Sequence, residues 1–300
     1  MIEIKGVTKK FDESIALQKL TATISEGQTF GLIGTNGAGK STLMRTICGI
    51  YRPEEGEVLI DGEPVFENPA AKSKVYYVPD DQFFFSNGTS LDVMRYHETV
   101  YPYFNRERFL KLMETLKLDI KRKINTFSKG MRKQLSVMLG VSAGTKYLLC
   151  DETFDGLDPV IRQAVKSLFI SEMAERGMTP VIASHNLREL EDVCDHVGLL
   201  HEGGILFSKD LDAMKLGIFK LQCVLRSPEH LNVIAESFPI LKKEQTGMLS
   251  TLTLRGQSSE VSKLQAQLQP VFWELLPLTL EEIFISEMEV KGYDFSKLYQ

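Results

Sequence analysis

TFGLIGTNGAGKSTLMRTI, residues 29–47, decides how the rest of the chain is understood. Thr29–Ile33 is a short apolar run suited to a strand, and from Ser41 to Gly49 a helical pattern places Leu43, Met44 and Ile47 on one face. Between the two lies Gly34-x-x-x-x-Gly39-Lys40-Ser41. Glycines there let successive backbone N–H groups turn inward around an anion, and the positive end of the following helix reinforces them. Lys40 is placed to reach outer phosphates, and the Ser41 hydroxyl to meet Mg2+.

Strand, glycine-rich loop and helix in that order are the context that the P-loop pattern requires. The candidate nucleotide-binding residues are therefore Gly34, Asn36, Gly37, Gly39, Lys40, Ser41 and Thr42. The loop by itself fits kinases, GTPases, helicases and transport ATPases equally. A second acidic motif narrows the choice. Tyr147–Cys150 is an apolar run ending in Asp151 and Glu152. In a parallel sheet that end faces the same edge as the phosphate loop. Asp151 can then hold Mg2+ and Glu152 can orient and deprotonate an attacking water. Without the loop upstream, the pair would read as a solvated acidic turn.

The surroundings agree with such a core. Ile2–Val7 and Ile15–Ile24 read as strands, and EGEVLIDGEPV as a hairpin turning at Asp61-Gly62. Residues 86–145 read as helical, with Asn105 as an N-cap before Phe109, Leu112, Met113 and Leu116. Strands at Tyr147–Cys150, Thr179–Ala183 and Val197–Leu200 then alternate with helices at Pro159–Ala174 and Leu187–Val193, which implies a helix-covered parallel sheet. From about residue 218 the pattern changes to strands in LQCVLRS, MLSTLTLRG and PVFWELL, with helical stretches near 229–236, 259–268 and 279–289. The net charge of −5 argues against a nucleic-acid partner held by general phosphate attraction. The four cysteines are scattered without a CxxC pair, which fits a reducing compartment. No window approaches the roughly 20 apolar residues of a membrane span.

FSKGMRKQL, residues 127–135, carries no acid, histidine or cysteine. Taken alone it is an N-capped helix with Met131, Leu135, Met138 and Leu139 on its buried face. Ahead of Asp151-Glu152, and behind a phosphate loop, it resembles the signature motif of ABC-type ATPases, usually Leu-Ser-Gly-Gly-Gln. Ser128 and Gly130 keep the serine and the second glycine, while three positions differ. Asp155-Gly156-Leu157-Asp158 resembles the family's interface-crossing loop. Ser184-His185 stands where the family has a histidine that senses the γ-phosphate, and Phe11 where it stacks an aromatic on adenine, with core packing as the competing role. Two positions depart. Asp80 occupies the place of the family's Mg2+-touching glutamine, with Gln82 two residues on, and either could serve. Thr153 replaces the usual proline. The run Phe83-Phe84-Phe85, with Tyr96, Tyr101, Tyr103 and Phe104, reads equally as core and as the groove in which the family seats a permease helix.

The resemblance covers residues 1 to about 215. It implies an α/β P-loop NTPase core over 1–217 with an N-terminal antiparallel β subdomain and a helical signature-motif subdomain at about 86–145. A small C-terminal α+β domain, 218–300, would follow. It also implies an ATP hydrolase using ATP and Mg2+, with Glu152 and His185 catalytic, and Ser41 and Asp151 on the metal. Phe11, Gln82, Ser128 and Gly130 join the nucleotide contacts. Two ATPs would be sandwiched between two chains, as a homodimer or with a sister ATPase. The work would move an integral-membrane permease, with the chain on the inner face of the membrane. LPLTLEEIFISEMEVKGYDF is similar to the tails of bacterial export-type members, so the expectation leans to an exporter. A soluble ABC ATPase acting on the ribosome or nucleic acid is the alternative, which usually carries paired cassettes or a coiled-coil insertion.

Overall fold

The computed structural model describes residues 1–257 and 260–290 of the 300. The last residues of the tail stretch noted above, 291–295, and the first of the helical stretch near 259–268 lie outside the described residues. The elements run β1 (Ile2–Phe11), β2 (Ser14–Ile24), β3 (Phe30–Ile33), α1 (Lys40–Ile47), β4 (Glu55–Ile60), β5 (Glu63–Pro64), α2 (Pro69–Lys72) and β6 (Val75–Val78). Next come α3 (Ser90–Val100), α4 (Arg106–Thr115), α5 (Lys129–Ser142), β7 (Tyr147–Asp151), α6 (Pro159–Arg176), β8 (Thr179–Ser184), α7 (Leu187–Glu191), β9 (His196–His201) and β10 (Gly204–Asp210). The remainder is α8 (Leu211–Leu216), β11 (Ile218–Val224), α9 (His230–Ser237), β12 (Ile240–Thr246), β13 (Leu249–Arg255), α10 (Val261–Leu268), β14 (Phe272–Leu276) and α11 (Leu280–Val290). The chain divides into two compact units, Met1–Ser208 and Lys209–Gln300.

In the first unit a six-stranded sheet has the order β10-β9-β3-β8-β7-β6. Strands β9, β3, β8, β7 and β6 are mutually parallel. Parallel strands buried on both faces need continuous apolar runs, and every residue of β3, β7 and β8 is buried. A four-stranded antiparallel sheet, β2-β1-β4-β5, lies against it. One core joins Ile2, Ile4, Leu17 and Val58 of that sheet to Leu43, Met44 and Ile47 of α1 and to Tyr147 and Leu149 of the parallel sheet. Burying each such side chain contributes about 1.5–3 kcal/mol.

Register places the site. Ile33 pairs with Ser184, Asp151 with Ala183, and Val78 with Cys150. The segments beginning at Gly34, Pro79, Glu152 and His185 therefore leave the sheet at one edge. The region 86–145 resolves into three helices, each started by a side-chain cap: Thr89, Asn105 and Ser128. Residues 116–128 between α4 and α5 are not α-helical, apart from a single 3-10 turn at Ile124–Thr126.

The second unit is an antiparallel sheet, β12-β13-β11-β14. Leu221 and Cys223 of β11 and Leu252 and Leu254 of β13 face Ile234 of α9 and Leu264 and Leu268 of α10. Strand β12 was not expected. ILKKEQT has few apolar residues because β12 is an edge strand, and charges there discourage pairing with another chain.

Candidate active site at the sheet edge

Helix α1 begins at Gly39, whose φ of 105° favours glycine, and a Cβ there would lie 2.6 Å from the Ala16 carbonyl oxygen. Gly34 is equally confined, since its Cβ would stand 2.6 Å from the Leu200 carbonyl oxygen. Helices α3 to α6 all have a side chain accepting from their first turn, whereas α1 has none. Its first N–H groups are left for a ligand, in a loop whose Thr35, Asn36 and Gly37 are exposed. Lys40 is buried, with Nζ donating to the carbonyls of Gly34 at 2.7 Å and Thr35 at 3.2 Å. Ser41 and Thr42 follow, half-buried, on the first turn.

Glu152 is the hinge of the cluster. Its Oε1 lies 3.2 Å from Lys40 Nζ and its Oε2 2.9 Å from His185 Nδ1. The backbone at Glu152 has φ 47°, a left-handed conformation costly for any residue but glycine, and its N–H donates to the Ala183 carbonyl at 3.0 Å. One carboxylate thus spans the phosphate-loop lysine and the histidine from the end of β8. His185 remains about half exposed.

Asp151 is only 1% exposed. Its Oδ2 accepts from the Tyr77 hydroxyl at 2.9 Å, while Oδ1 is buried and accepts no hydrogen bond. Burial pushes the Asp151 carboxyl above the ordinary range, the Ser41 and Tyr77 hydroxyls pull it back, and the Glu152 charge adds to the rise. A buried carboxylate oxygen without a donor, beside a serine hydroxyl, suits a hard divalent cation that takes oxygen ligands. Burial, with Asp151 alongside, pushes the Tyr77 phenol upward, so it stays a donor.

The remaining candidates fall elsewhere. Phe11 is 41% exposed, meets Tyr51 in a T-shaped contact at 5.2 Å and has the Lys9 ammonium over its ring at 5.3 Å. Ser128 caps α5 by accepting from Met131 N–H at 3.2 Å, and a Cβ on Gly130 would lie 3.2 Å from the Gly156 carbonyl oxygen. Among the described residues no hydrogen bond or ion pair joins Ser128 or Gly130 to Lys40, Ser41, Glu152 or His185; Gly130 stands beside Gly156. The Gln82 amide donates to the Pro79 and Asp80 carbonyls, both at 2.9 Å, and so is turned back on its own loop. Asp80 Oδ1 instead pairs with Lys133 Nζ at 3.0 Å.

Two residues at the site escaped sequence reasoning. Tyr77 was legible through strand parity, since in VYYV alternate residues face opposite sides and Tyr76 lies against α5 near Gly140. Lys133, fully buried, gave no signal, because a basic residue off the expected apolar stripe reads as solvated. Helix α5 is in fact buried at every position from Lys133 to Ser142, and Met131, expected inside, is only half-buried.

The aromatic run separates into two environments. Phe83 (88%), Tyr103 (81%), Tyr96 and Phe85 are exposed. Phe84, Tyr101 and Phe104 are half-buried. Tyr77, Phe83, Phe84, Phe85, Tyr96 and His97 line a groove of about 300 Å3.

A phosphate-loop helix, a buried Asp151 and a Glu152–His185 pair at one edge of a parallel sheet define a P-loop ATPase. The profile of the ABC transporter family matches residues 17–155. The ABC transporter ATP-binding protein YtrB of Bacillus subtilis is 31% identical over 287 residues, covering 96% of this chain and 98% of that protein. The bacitracin transport ATP-binding protein BcrA of Bacillus licheniformis is 28% identical over 271 residues, 88% of this chain and 89% of the relative. The fold is also that of a solved ATP-binding subunit of an ABC transporter, at 24% identity and TM-score 0.66, covering 72% of this chain and 92% of that one. A dimeric ATP-binding cassette bound to ADP and Pi matches at 23% identity and TM-score 0.64, with 70% and 99% covered. The chain belongs to the ABC transporter ATP-binding proteins, and is an ATP-binding, ATP-hydrolysing transporter subunit.

Proposed function

We propose that two copies of this chain, or this chain and a sister ATPase, close on two Mg·ATP and so drive a membrane permease. The observation that carries the reading is the Glu152 carboxylate held between Lys40 and His185, beside Asp151, while Ser128 and Gly130 form a second helix-start anion site apart from it. One chain has little use for two such sites on one γ-phosphate. A partner's Ser128 and Gly130 completing the site would make hydrolysis depend on association. Relatives named for bacitracin and lantibiotic transport support a transport role, with export as the favoured direction.

In this reading the α1 N-terminus and Lys40 hold the β- and γ-phosphates, with Gly34, Asn36, Gly37, Gly39 and Thr42 shaping the loop, and Phe11 offers a face to adenine. Ser41 and Asp151 would hold Mg2+, which neutralises charge that develops on the transferred phosphoryl group. Glu152 accepts a proton from water as its oxygen attacks the γ-phosphorus and the bond to the β–γ bridging oxygen breaks, releasing ADP. His185, through its Nδ1 contact, holds the Glu152 carboxylate in place. Gln82 could contribute only after leaving the Pro79 and Asp80 carbonyls. The groove around Phe83–Phe85 would receive a permease segment, placing the chain on the inner face of the membrane. No helix among the described residues is long and apolar enough to cross a membrane. Residues 1–217 would carry the ATPase and 218–300 an accessory domain.

The test is purification from native cells in mild detergent with identification of co-purifying proteins. A polytopic membrane protein in stoichiometric amount is the expected result. Ribosomal or DNA-associated partners in its place would contradict the transport role and leave the ATPase chemistry standing.

A further inference from the structure

A lysine with no exposed surface is rare unless its charge is answered and its donors are satisfied. Lys133 is 0% exposed and sits one turn into α5. Its Nζ donates to the Glu152 main-chain carbonyl at 2.6 Å and pairs with Asp80 Oδ1 at 3.0 Å, with Asp155 Oδ2 further off at 3.8 Å. An ammonium has three donors, and here its two close acceptors come from two separate segments, with the Asp155 carboxylate as a more distant opposite charge. One is the peptide that follows Glu152, at the residue whose φ is 47°. Another is the loop that leads from β6 into Phe83–Phe85. Asp155 stands three residues after Glu152 in the same loop between β7 and α6. Lys129, by contrast, is mostly exposed and, among the described residues, pairs with Asp155 at 3.3 Å.

We infer that Lys133 is a positioning residue for hydrolysis: it fixes the Glu152 peptide, and through Asp80 it couples that setting to the aromatic loop. The inference rests on Glu152 as the general base. A main-chain carbonyl clamped on the far side of a left-handed residue leaves the Glu152 side chain little freedom to turn away from Lys40 and His185. The same ammonium explains the acid at position 80. A neutral glutamine there would leave the buried charge only the Asp155 carboxylate at 3.8 Å, so the acid at position 80 and the lysine at 133 belong together. Movement of Phe83–Phe85 on meeting a partner would pull on Asp80, and through Lys133 on the peptide of Glu152.

The experiment uses the full chain with the membrane subunit that co-purifies with it. It compares Lys133→Gln, Lys133→Arg, Asp80→Asn, the Asp80→Asn/Lys133→Gln double variant and Glu152→Gln. Steady-state Mg·ATP hydrolysis, affinity for a fluorescent ATP analogue and melting temperature are measured for each. Lys133→Gln should lower kcat at least about tenfold with nucleotide affinity within about threefold, and Lys133→Arg should restore most of it. Asp80→Asn should fall between, and the double variant should be no slower than Lys133→Gln alone, since both changes cut one link. Lys133→Gln that is folded and hydrolyses within about twofold of the parent would overturn the inference, as would additive losses in the double variant. If Lys133→Gln does not fold, Asp80→Asn, changed at a half-exposed side chain, decides: unaltered kcat overturns the coupling and a loss at unchanged affinity upholds it. Glu152→Gln separates the two levels. Retained hydrolysis there removes the general base and the inference with it, whereas loss there with normal Lys133→Gln removes the inference alone.

Discussion

At the scale of single residues the site is two carboxylates with opposite environments. Glu152 is bracketed by Lys40 and His185, and is the proposed general base; Asp151 is buried and has one unanswered oxygen. Glu152→Gln should therefore abolish turnover by about 10²–10⁴-fold while ATP still binds, read by single-turnover hydrolysis beside equilibrium binding. Asp151 gives a signed pH prediction. Its folded-state value is raised by burial, so the stability it contributes is full at low pH and is lost as pH rises through that raised value. In nucleotide-free protein, Asp151→Asn should raise the melting temperature at about pH 7.5, and the gain should vanish towards about pH 4. The same variant should lose the extra thermal shift that Mg2+ adds to ATP. A variant less stable than the parent at neutral pH would show that the Asp151 charge is already answered without a cation.

Elements explain what was legible. The phosphate loop and the Asp151–Glu152 strand end could be read because each joins a local pattern to a fixed chemical need, and the parallel sheet because its strands are continuous apolar runs. Strand β12 was hidden by its charges, and β10 and α8 by short, mixed segments. Lys133 was hidden because its meaning depends on which neighbour faces it, which no window of sequence contains, whereas for Tyr77 strand parity gave the side of the sheet but not the Asp151 partner. The outcome for the aromatic run turned on exposure, also absent from the sequence. Helix α5 supplies an element-scale prediction. A Cβ on Gly140 would stand 2.7 Å from Leu148 Cδ1 and 2.9 Å from Tyr76 Cδ1, so the helix lies on β6 and β7 at glycine's distance. Gly140→Ala should cost about 1–3 kcal/mol in denaturant unfolding, by forcing α5 away from the sheet. An unchanged midpoint would mean that the interface gives way without strain.

Across the whole molecule, the proposed function makes the phosphate loop and the signature helix start two half-sites that complete each other between chains. Ser128→Ala should leave ATP affinity nearly unchanged and lower kcat by about 10²–10³-fold, the loss typical of removing one donor to a transition-state oxyanion. Phe83→Ala with Phe85→Ala should release the co-purifying membrane subunit while nucleotide binding by the chain persists, as judged by detergent pull-down. The most direct measurement is the mass of Glu152→Gln in solution by light scattering, with and without Mg·ATP, for the parent signature and for Ser128→Ala. Two shared ATPs predict a nucleotide-dependent dimer, or a pair with the sister ATPase, that Ser128→Ala weakens. A single-chain mass with ATP bound even when any co-purifying sister ATPase is present, or a dimer indifferent to both ATP and Ser128, would contradict the shared site.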